Sequence, residues 1–291
     1  MSQHAHQPAD GSPEPGLSID MTVPHSARVW NYWLGGKDHY DSDRAAGDAV
    51  LKVFPQMKAA ALQSRAFLRK AVSYLAEEAG IRQFLDVGTG LPTAANTHEI
   101  AQRAAPDAHI VYADNDPVVL LHAQALLTGN PPGQVHYLDA DLRDTGDLLT
   151  QARAVLDFDR PIALLLMGIL GHIGVTPHDP LAAFTDPDAA REAYAAARRI
   201  VQALVGALPS RSALALYEFD DSTEEVKQAG RVYAEAGALP YLLRSREQIA
   251  GYFDGLDLVD PGLVHPTEWR PGSYGDCGLI VPVWCGIGVK P

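Results

Sequence analysis

From Met21 to Gly80 apolar positions recur with helical spacing, and no segment reads as a strand. Three helices are predicted there. Thr22 can cap the first, whose opening residues include Pro24, and Gly35-Gly36 stops it after Leu34. The second opens near Ser42 and ends at Phe54-Pro55. The third runs from about Gln56 to Ala79, gathers Ala60, Phe67, Ala71, Tyr74 and Leu75 near one stripe, and stops at Gly80.

After Gly80 the pattern changes to short apolar runs at Gln83 to Val87, His109 to Ala113, Val135 to Leu138, Ile162 to Leu170 and Ala213 to Phe219, separated by helical segments. Strands alternating with helices pair in parallel, because a parallel neighbour needs a crossover, and the product is a doubly wound α/β sheet. Two last runs, near Leu256 to Val264 and Leu279 to Val289, lack a long helix between them and are expected to pair antiparallel. The fold class expected is therefore a Rossmann-like α/β sheet, mostly parallel with an antiparallel last strand, behind an N-terminal helical cap. The division expected is a disordered tail over 1–18, a cap or lid over 19–80 and a ligand-binding domain over 81–291.

The sheet reading makes the strand ends the place to look for chemistry, since ligands of open α/β sheets bind beyond them. The first strand runs into Asp86-Val87-Gly88-Thr89-Gly90-Leu91-Pro92-Thr93. Gly88 and Gly90 let the backbone turn sharply and approach a ligand where a Cβ would intrude. The second strand ends at Asp114-Asn115-Asp116-Pro117, with Asp114 24 residues after Gly90. A carboxylate there can accept hydrogen bonds from the two cis hydroxyls of a ribose, while Asp116 suits a helix N-cap. After the third strand, Asp139-Ala140-Asp141-Leu142 offers Asp141 to an adenine amino group and Leu142 to the ring, though one of the two aspartates can equally be a turn residue. A dinucleotide fold normally places a third glycine where Thr93 stands, to receive a pyrophosphate and pack the helix. S-adenosyl-L-methionine has no pyrophosphate, and its positive charge suits the acidic rim. It is the expected cofactor, ahead of NAD.

Composition narrows the partners. The 291 residues carry 23 Lys and Arg against 36 Asp and Glu, a net charge of −13, which argues against nucleic acid and anionic membranes. The imbalance lies after residue 80, where 15 basic side chains face 27 acidic ones, against 8 and 9 before it. The longest apolar stretch, Ile162 to Gly171, has 10 residues, too short for the roughly 20 of a membrane helix. The first residues lack the features of a secretory signal, and Cys277 and Cys285 read as free thiols, so a cytoplasmic location is expected.

Several strings together resemble a known family. Val23-Pro24-His25-Ser26-Ala27-Arg28-Val29-Trp30-Asn31-Tyr32-Trp33-Leu34-Gly35-Gly36-Lys37-Asp38, Phe84 to Thr93, Val111 to Pro117, Tyr137 to Asp144, Leu243 to Glu247 and Trp269-Arg270-Pro271 are similar to the actinobacterial S-adenosyl methyltransferases once catalogued as a domain of unknown function. The resemblance covers almost everything after residue 18. It implies a class I methyltransferase fold with a bound S-adenosyl cofactor and leaves the methyl acceptor undefined. It also exposes a departure: where members tend to carry histidine after the fourth strand, this chain reads Met167-Gly168-Ile169-Leu170-Gly171-His172. The Asn-Pro-Pro-Tyr type of string found in enzymes that methylate base nitrogens is also missing.

Methyl transfer needs alignment and desolvation above all, and a base only if the acceptor must lose a proton. His172 and Glu218, at the ends of the fourth and fifth strands, are the candidate bases. Tyr32 and Lys37, beside the Gly35-Gly36 hinge, are expected to touch cofactor or acceptor, with Lys37 facing the methionine carboxylate. Asp86, Gly88, Thr89, Gly90, Asp114, Asn115, Asp141, Leu142 and Met167 complete the cofactor set. The function expected is S-adenosyl-L-methionine-dependent methylation of a small molecule. A cofactor-binding regulator without chemistry remains an alternative, and an NAD-dependent oxidoreductase a remoter one.

Overall fold

The computed structural model describes residues 20–92, 95–127, 134–175, 179–271 and 278–291. The expected tail over 1–18, Thr93 and Cys277 lie outside the described residues. Three helices come first, α1 (Ser26–Trp33), α2 (Asp41–Val53) and α3 (Met57–Glu77). They are followed by β1 (Gln83–Val87), α4 (Thr97–Ala104), β2 (His109–Asp114), α5 (Pro117–Leu127), β3 (Val135–Asp139), α6 (Thr145–Arg153) and β4 (Ile162–Met167). The chain continues through α7 (Ala182–Thr185), α8 (Pro187–Ala207), β5 (Ala213–Phe219), α9 (Glu224–Glu235), α10 (Arg246–Ala250), β6 (Asp257–Leu258) and β7 (Val283–Val289).

The strands form one seven-stranded sheet in the order β3-β2-β1-β4-β5-β7-β6. β1 to β5 are mutually parallel, and β7 runs antiparallel between β5 and β6. The expected fold class is the one observed. Leu85 lies between Val111 and Leu164 in register, and all five residues of β1 are buried because both faces of the sheet are covered. Successive strand residues point to opposite faces, so Phe84, Ile110, Leu165 and Tyr217 belong to one apolar core and Leu85, Val111, Leu164 and Leu216 to the other.

Several boundaries differ from expectation, and of the two C-terminal runs only Asp257–Leu258 and Val283–Val289 form strands, with Val264 adding an isolated bridge to Cys285. The first helix starts at Ser26 with His25 as its cap, because Thr22 instead turns back on Asp20, to which its amide and hydroxyl both donate. β4 stops at Met167, since Gly168 takes a φ of +77° and a short 3-10 turn, Leu170–His172, follows.

The N-terminal helices share the first of the two cores with the sheet: Val29, Val50, Phe67 and Leu75 pack in one cluster with Phe84, Tyr217 and Ile287. The Tyr217 hydroxyl donates to the carbonyl of Ala60 at 2.7 Å, joining β5 to α3. From the other end of the chain, Trp269 packs edge-on against Phe67 at 5.4 Å, and its carbonyl accepts from Lys70 Nζ at 3.1 Å.

α1 is fixed by a buried ion pair. Arg28 Nε lies 3.1 Å from Asp43 Oδ2, with only 4% and 0% of the two side chains exposed. Asp43 also accepts from the amides of His25 at 2.9 Å and Tyr40 at 2.8 Å, so it caps α2 and holds the start of α1 together. Removing this carboxylate strands a buried guanidinium. Asp43→Ala is expected to lower the unfolding free energy by about 3–5 kcal/mol, measured by denaturant titration. Asp48→Ala, which removes only the surface bond from the Tyr32 hydroxyl, is expected to cost about 1 kcal/mol or less. Equal losses in the two variants would deny Asp43 its structural role.

Candidate active site

Because β1 to β5 run in parallel, their carboxyl ends meet along one edge, and the chain there is stitched into a rigid rim. After β1, Gly88 and Gly90 have φ of +70° and +65°, a region that a side chain resists. The Gly88 amide donates to the Ala113 carbonyl of β2 at 2.8 Å, and the Gly90 amide to Asp114 Oδ2 at 2.9 Å. The other oxygen of Asp114 accepts from the Asp116 amide at 2.9 Å, and the Ala140 amide bonds the Asp114 carbonyl at 3.2 Å. Burial raises the Asp114 carboxyl above its ordinary range, against the pull of those two amides. Each oxygen keeps a lone pair for a further donor.

Asp116 caps α5 by accepting from the Val118 amide at 2.9 Å. Its second oxygen meets His25 Nδ1 at 2.8 Å, which ties the start of α1 to the end of β2. Burial pushes the Asp116 carboxyl up, yet the bond and charge of His25 hold it below its usual value. Asp141 follows β3 and is gripped by Arg143, whose Nε lies 2.9 Å from both carboxylate oxygens and lowers its pKa. Asn115 Nδ2 reaches the same carboxylate at 3.4 Å. Asp139, the last residue of β3, is exposed and takes no part in the cavity wall, so of Asp139 and Asp141 it is Asp141 that faces inward.

The rim opens into a cavity of about 180 Å³ with two unlike ends. One end is walled by Gly88, Gly90, Asp114, Asn115, Asp141 and Leu142. The other is apolar, walled by Trp30 and Trp33 of α1, Phe54 and Met57 near α2 and α3, and Phe219 and Tyr233. Met167, Gly168 and Ile169 lie between the two. The aromatic rings brace one another: Trp30 meets Trp33 at 5.5 Å and Phe219 at 6.2 Å, and Trp33 meets Tyr233 at 6.1 Å.

A small recess adjoins the polar end, sharing Trp30, Gly88, Gly90 and Met167 with the main cavity. Its floor holds Asp86, Thr89 and Arg65. Asp86 is buried within β1, accepts from the Thr97 hydroxyl at 2.6 Å, and is pushed up to about 6 by burial, which that bond and Arg65 oppose. Arg65 projects from α3 and spends one donor on the Ala95 carbonyl at 2.9 Å; burial lowers its pKa while Asp86 opposes the shift. A guanidinium with donors to spare at the glycine turn is a site for a carboxylate.

Nine sequence-selected residues, Asp86, Gly88, Thr89, Gly90, Asp114, Asn115, Asp141, Leu142 and Met167, are brought together around the cavity and its recess. Tyr32 and Lys37 are not. The Tyr32 ring lies beside Gly47 and its hydroxyl donates to Asp48 at 2.5 Å, while Lys37 is exposed on the turn after α1; neither lines the cavity or its recess. The turn itself is pinned, because the Gly36 amide bonds the Asn31 carbonyl at 2.9 Å and Asn31 Oδ1 accepts from Asp38 at 3.0 Å.

His172 lines the apolar end, with Nδ1 3.0 Å from the Pro240 carbonyl. That nitrogen must carry the proton, and desolvation lowers the ring to about 4, so Nε2 is a weak base. Glu218 lies behind the wall. Burial raises it to about 7, against hydrogen bonds from Tyr241 and the Leu170 amide. Arg65, His25 and Tyr241 were missed by the sequence reading. For Arg65 a signal existed: it shares a helical stripe with Ala61, Leu68 and Val72, all buried, and a cation in an apolar stripe calls for a partner.

Residues 12–291 match the family described as S-adenosyl methyltransferase. A solved structure of a DUF574 family protein from Streptomyces avermitilis is 37% identical, with a TM-score of 0.82, and the match covers 94% of this chain and all 100% of that one. The structure of a candidate methyltransferase from Thermobifida fusca is 36% identical, with a TM-score of 0.81, covering 97% of this chain and 99% of its own. No curated protein matches the chain.

A carboxyl raised from 4.5 unfolded to about 7 folded stabilises the fold fully below 4.5 and loses that contribution as the pH climbs through 7. Glu218→Gln should therefore gain stability relative to the parent chain between about pH 5 and pH 8, approaching ~3 kcal/mol at most. Denaturant unfolding at the two pH values checks this. Asp86 and Asp114 shift in the same direction but are common to both proteins and cancel in the difference. A pH-independent difference would show that Glu218 is not a raised carboxyl.

Proposed function

The chain belongs to the S-adenosyl methyltransferase family, and from that premise we propose that its methyl acceptor is a small, largely apolar molecule held among Trp30, Trp33, Phe219 and Tyr233. The protein is an S-adenosyl-L-methionine-dependent methyltransferase. The observation that carries the acceptor reading is a cavity whose polar end is built from strand tips and whose other end is aromatic. A net charge of −13 argues against nucleic acid as the acceptor. No helix among the described residues is long and apolar enough to cross a membrane, and Cys285 is a buried free thiol; the cytoplasm is the compartment we assign.

The polar end fits the cofactor by its donor set. Asp114, with a lone pair left on each oxygen, would receive the cis hydroxyls of the ribose, and Asp141 with Leu142 the adenine. Arg65, in the recess beside Gly88 and Gly90, would hold the amino-acid carboxylate, the role the sequence reading gave to Lys37. When bound, the cofactor supplies an electrophilic methyl group on a positively charged sulfur. The protein's part is to align and to dry the site: the two tryptophans and Phe219 exclude water from the apolar end, and the rigid rim fixes the approach. Residues 20–80 act as the cap that closes the acceptor side, with α1 as its wall.

Calorimetry tests the reading. The protein is expected to bind S-adenosylhomocysteine and to bind NAD far more weakly. Asp114→Ala should lose about tenfold to several hundredfold in affinity, as expected for two charge-assisted bonds partly offset by solvation. Asp116→Ala should act first on stability, by about 0.5–2 kcal/mol for a lost cap. Tighter NAD binding, or a larger affinity loss in Asp116→Ala at unchanged melting temperature, would overturn the assignment of the polar end.

Arg65 has its own test. Arg65→Met should weaken S-adenosylhomocysteine about tenfold or more while leaving 5′-methylthioadenosine, which lacks the amino-acid carboxylate, nearly unchanged. Equal losses for both ligands would show that Arg65 supports the turn rather than the carboxylate.

A further inference from the structure

Behind the apolar wall lies a hydrogen-bonded pair that cofactor binding does not use. Glu218, in β5, has no exposed surface, and its Oε1 accepts from the Leu170 amide at 2.8 Å. Its Oε2 accepts from the hydroxyl of Tyr241, which arrives from the segment between α9 and α10. Glu218 does not line the cavity; Tyr241 does. The tyrosine ring fills the space that a side chain at position 171 would take, since a Cβ on Gly171 would stand 2.4 Å from it. There is no room for a histidine at 171. A Cβ on Gly168 would lie 3.8 Å from the Tyr241 hydroxyl, which places that oxygen over the turn after β4, at the junction of the polar and apolar ends. Edge-on contacts with His172 at 5.1 Å and Phe219 at 5.6 Å hold the ring in place.

We propose that Tyr241 is a catalytic residue that takes the proton of a hydroxyl-bearing aromatic acceptor and passes its own to Glu218. The proposal rests on the reading of the apolar end as the acceptor site, and it names the acceptor class as phenolic. The acceptor O–H bond breaks as its proton moves to Tyr241 Oη, and the Tyr241 proton moves to Glu218 Oε2. The acceptor oxygen bonds to the methyl carbon while the carbon–sulfur bond breaks, its electron pair staying on sulfur. Glu218 returns the proton to water through the same hydroxyl. The two groups are suited to a relay: burial and the neighbouring carboxylate raise the phenol well above its ordinary value, so Tyr241 does not rest as phenolate, whereas Glu218, near 7, is poised to accept. His172, near 4 and committed to the Pro240 carbonyl, is the poorer acceptor. The groups facing Glu218 are Tyr241 and Arg244 from the segment after α9, the Leu170 and Gly171 amides from the turn after β4, Tyr217 from its own strand and Tyr252 beyond α10.

The test uses the full chain loaded with S-adenosylhomocysteine, with 2-naphthol and naphthalene as probes. The parent protein should bind 2-naphthol about tenfold or more tighter than naphthalene, one hydrogen bond to a buried partner. Tyr241→Phe should lose that preference yet bind naphthalene and S-adenosylhomocysteine as before. With S-adenosylmethionine, formation of 2-methoxynaphthalene should rise with pH through about 7, and Glu218→Gln should lose that rise at unchanged cofactor affinity. Equal binding of the two probes, an intact preference in Tyr241→Phe, or no methyl ether from bound 2-naphthol would each overturn the relay while leaving an apolar acceptor site. Failure of both probes to bind would overturn the acceptor site and the relay together.

Discussion

Asp43 holds three things at once: the amide that begins α1, the amide that begins α2 and the guanidinium of Arg28. A carboxylate with no exposed surface is tolerable only when its oxygens are satisfied in this way. The direction of α1 follows from those bonds, and much of the site follows from α1. It sets Ala27 against Leu91, Val118 and Val119 in a small cluster beside the glycine turn, lays Trp30 and Trp33 along the cavity, and brings His25 to Asp116. The cavity is thus closed on one side by a helix whose anchor lies outside it.

The acidic groups at the strand ends divide by what burial leaves them. Asp86, Asp114 and Glu218, at the ends of β1, β2 and β5, are all raised, because desolvation outweighs the donors they meet. Asp116 and Asp141 are lowered, because each has a cationic or imidazole partner in direct contact. In the first group Asp114 keeps a lone pair on each oxygen for a new donor, whereas in the second Asp116 is spent on the Val118 amide and His25. A count of carboxylates in the sequence does not distinguish them, since the difference is made by partners that arrive from α1 and from the turn after β3.

The sheet was legible in the sequence because parallel strands buried on both faces must be nearly continuous apolar runs, and β1 and β5 lie within the limits their composition predicts. The glycine turn and Asp114 were legible because they sit next to those runs in the chain. Tyr32 and the two tryptophans show where that legibility ends. All three are aromatic and near neighbours, yet Ala27, Trp30 and Trp33 follow a three-residue stripe onto the cavity while Tyr32 falls off it toward Gly47 and Asp48. Tyr241 gave no local signal, for its importance comes from a glycine 70 residues earlier in the chain and a glutamate 23 residues earlier. The start of α1 was misplaced for a similar reason: a competing bond from Thr22 to Asp20 took the capping group away.

The clasp of α3 by the far end of the chain bears on how the protein comes into being. Gln63 bonds the Leu279 carbonyl across 216 residues, and Lys70 the Trp269 carbonyl across 199. On a ribosome delivering residues in order, Phe67 and its neighbours emerge long before Trp269 and β7 exist to cover them. The first helices therefore wait, partly uncovered, for the last strand, and the native core is completed only when translation has passed it. A chain that ended before β7 would therefore carry an open seam along α3.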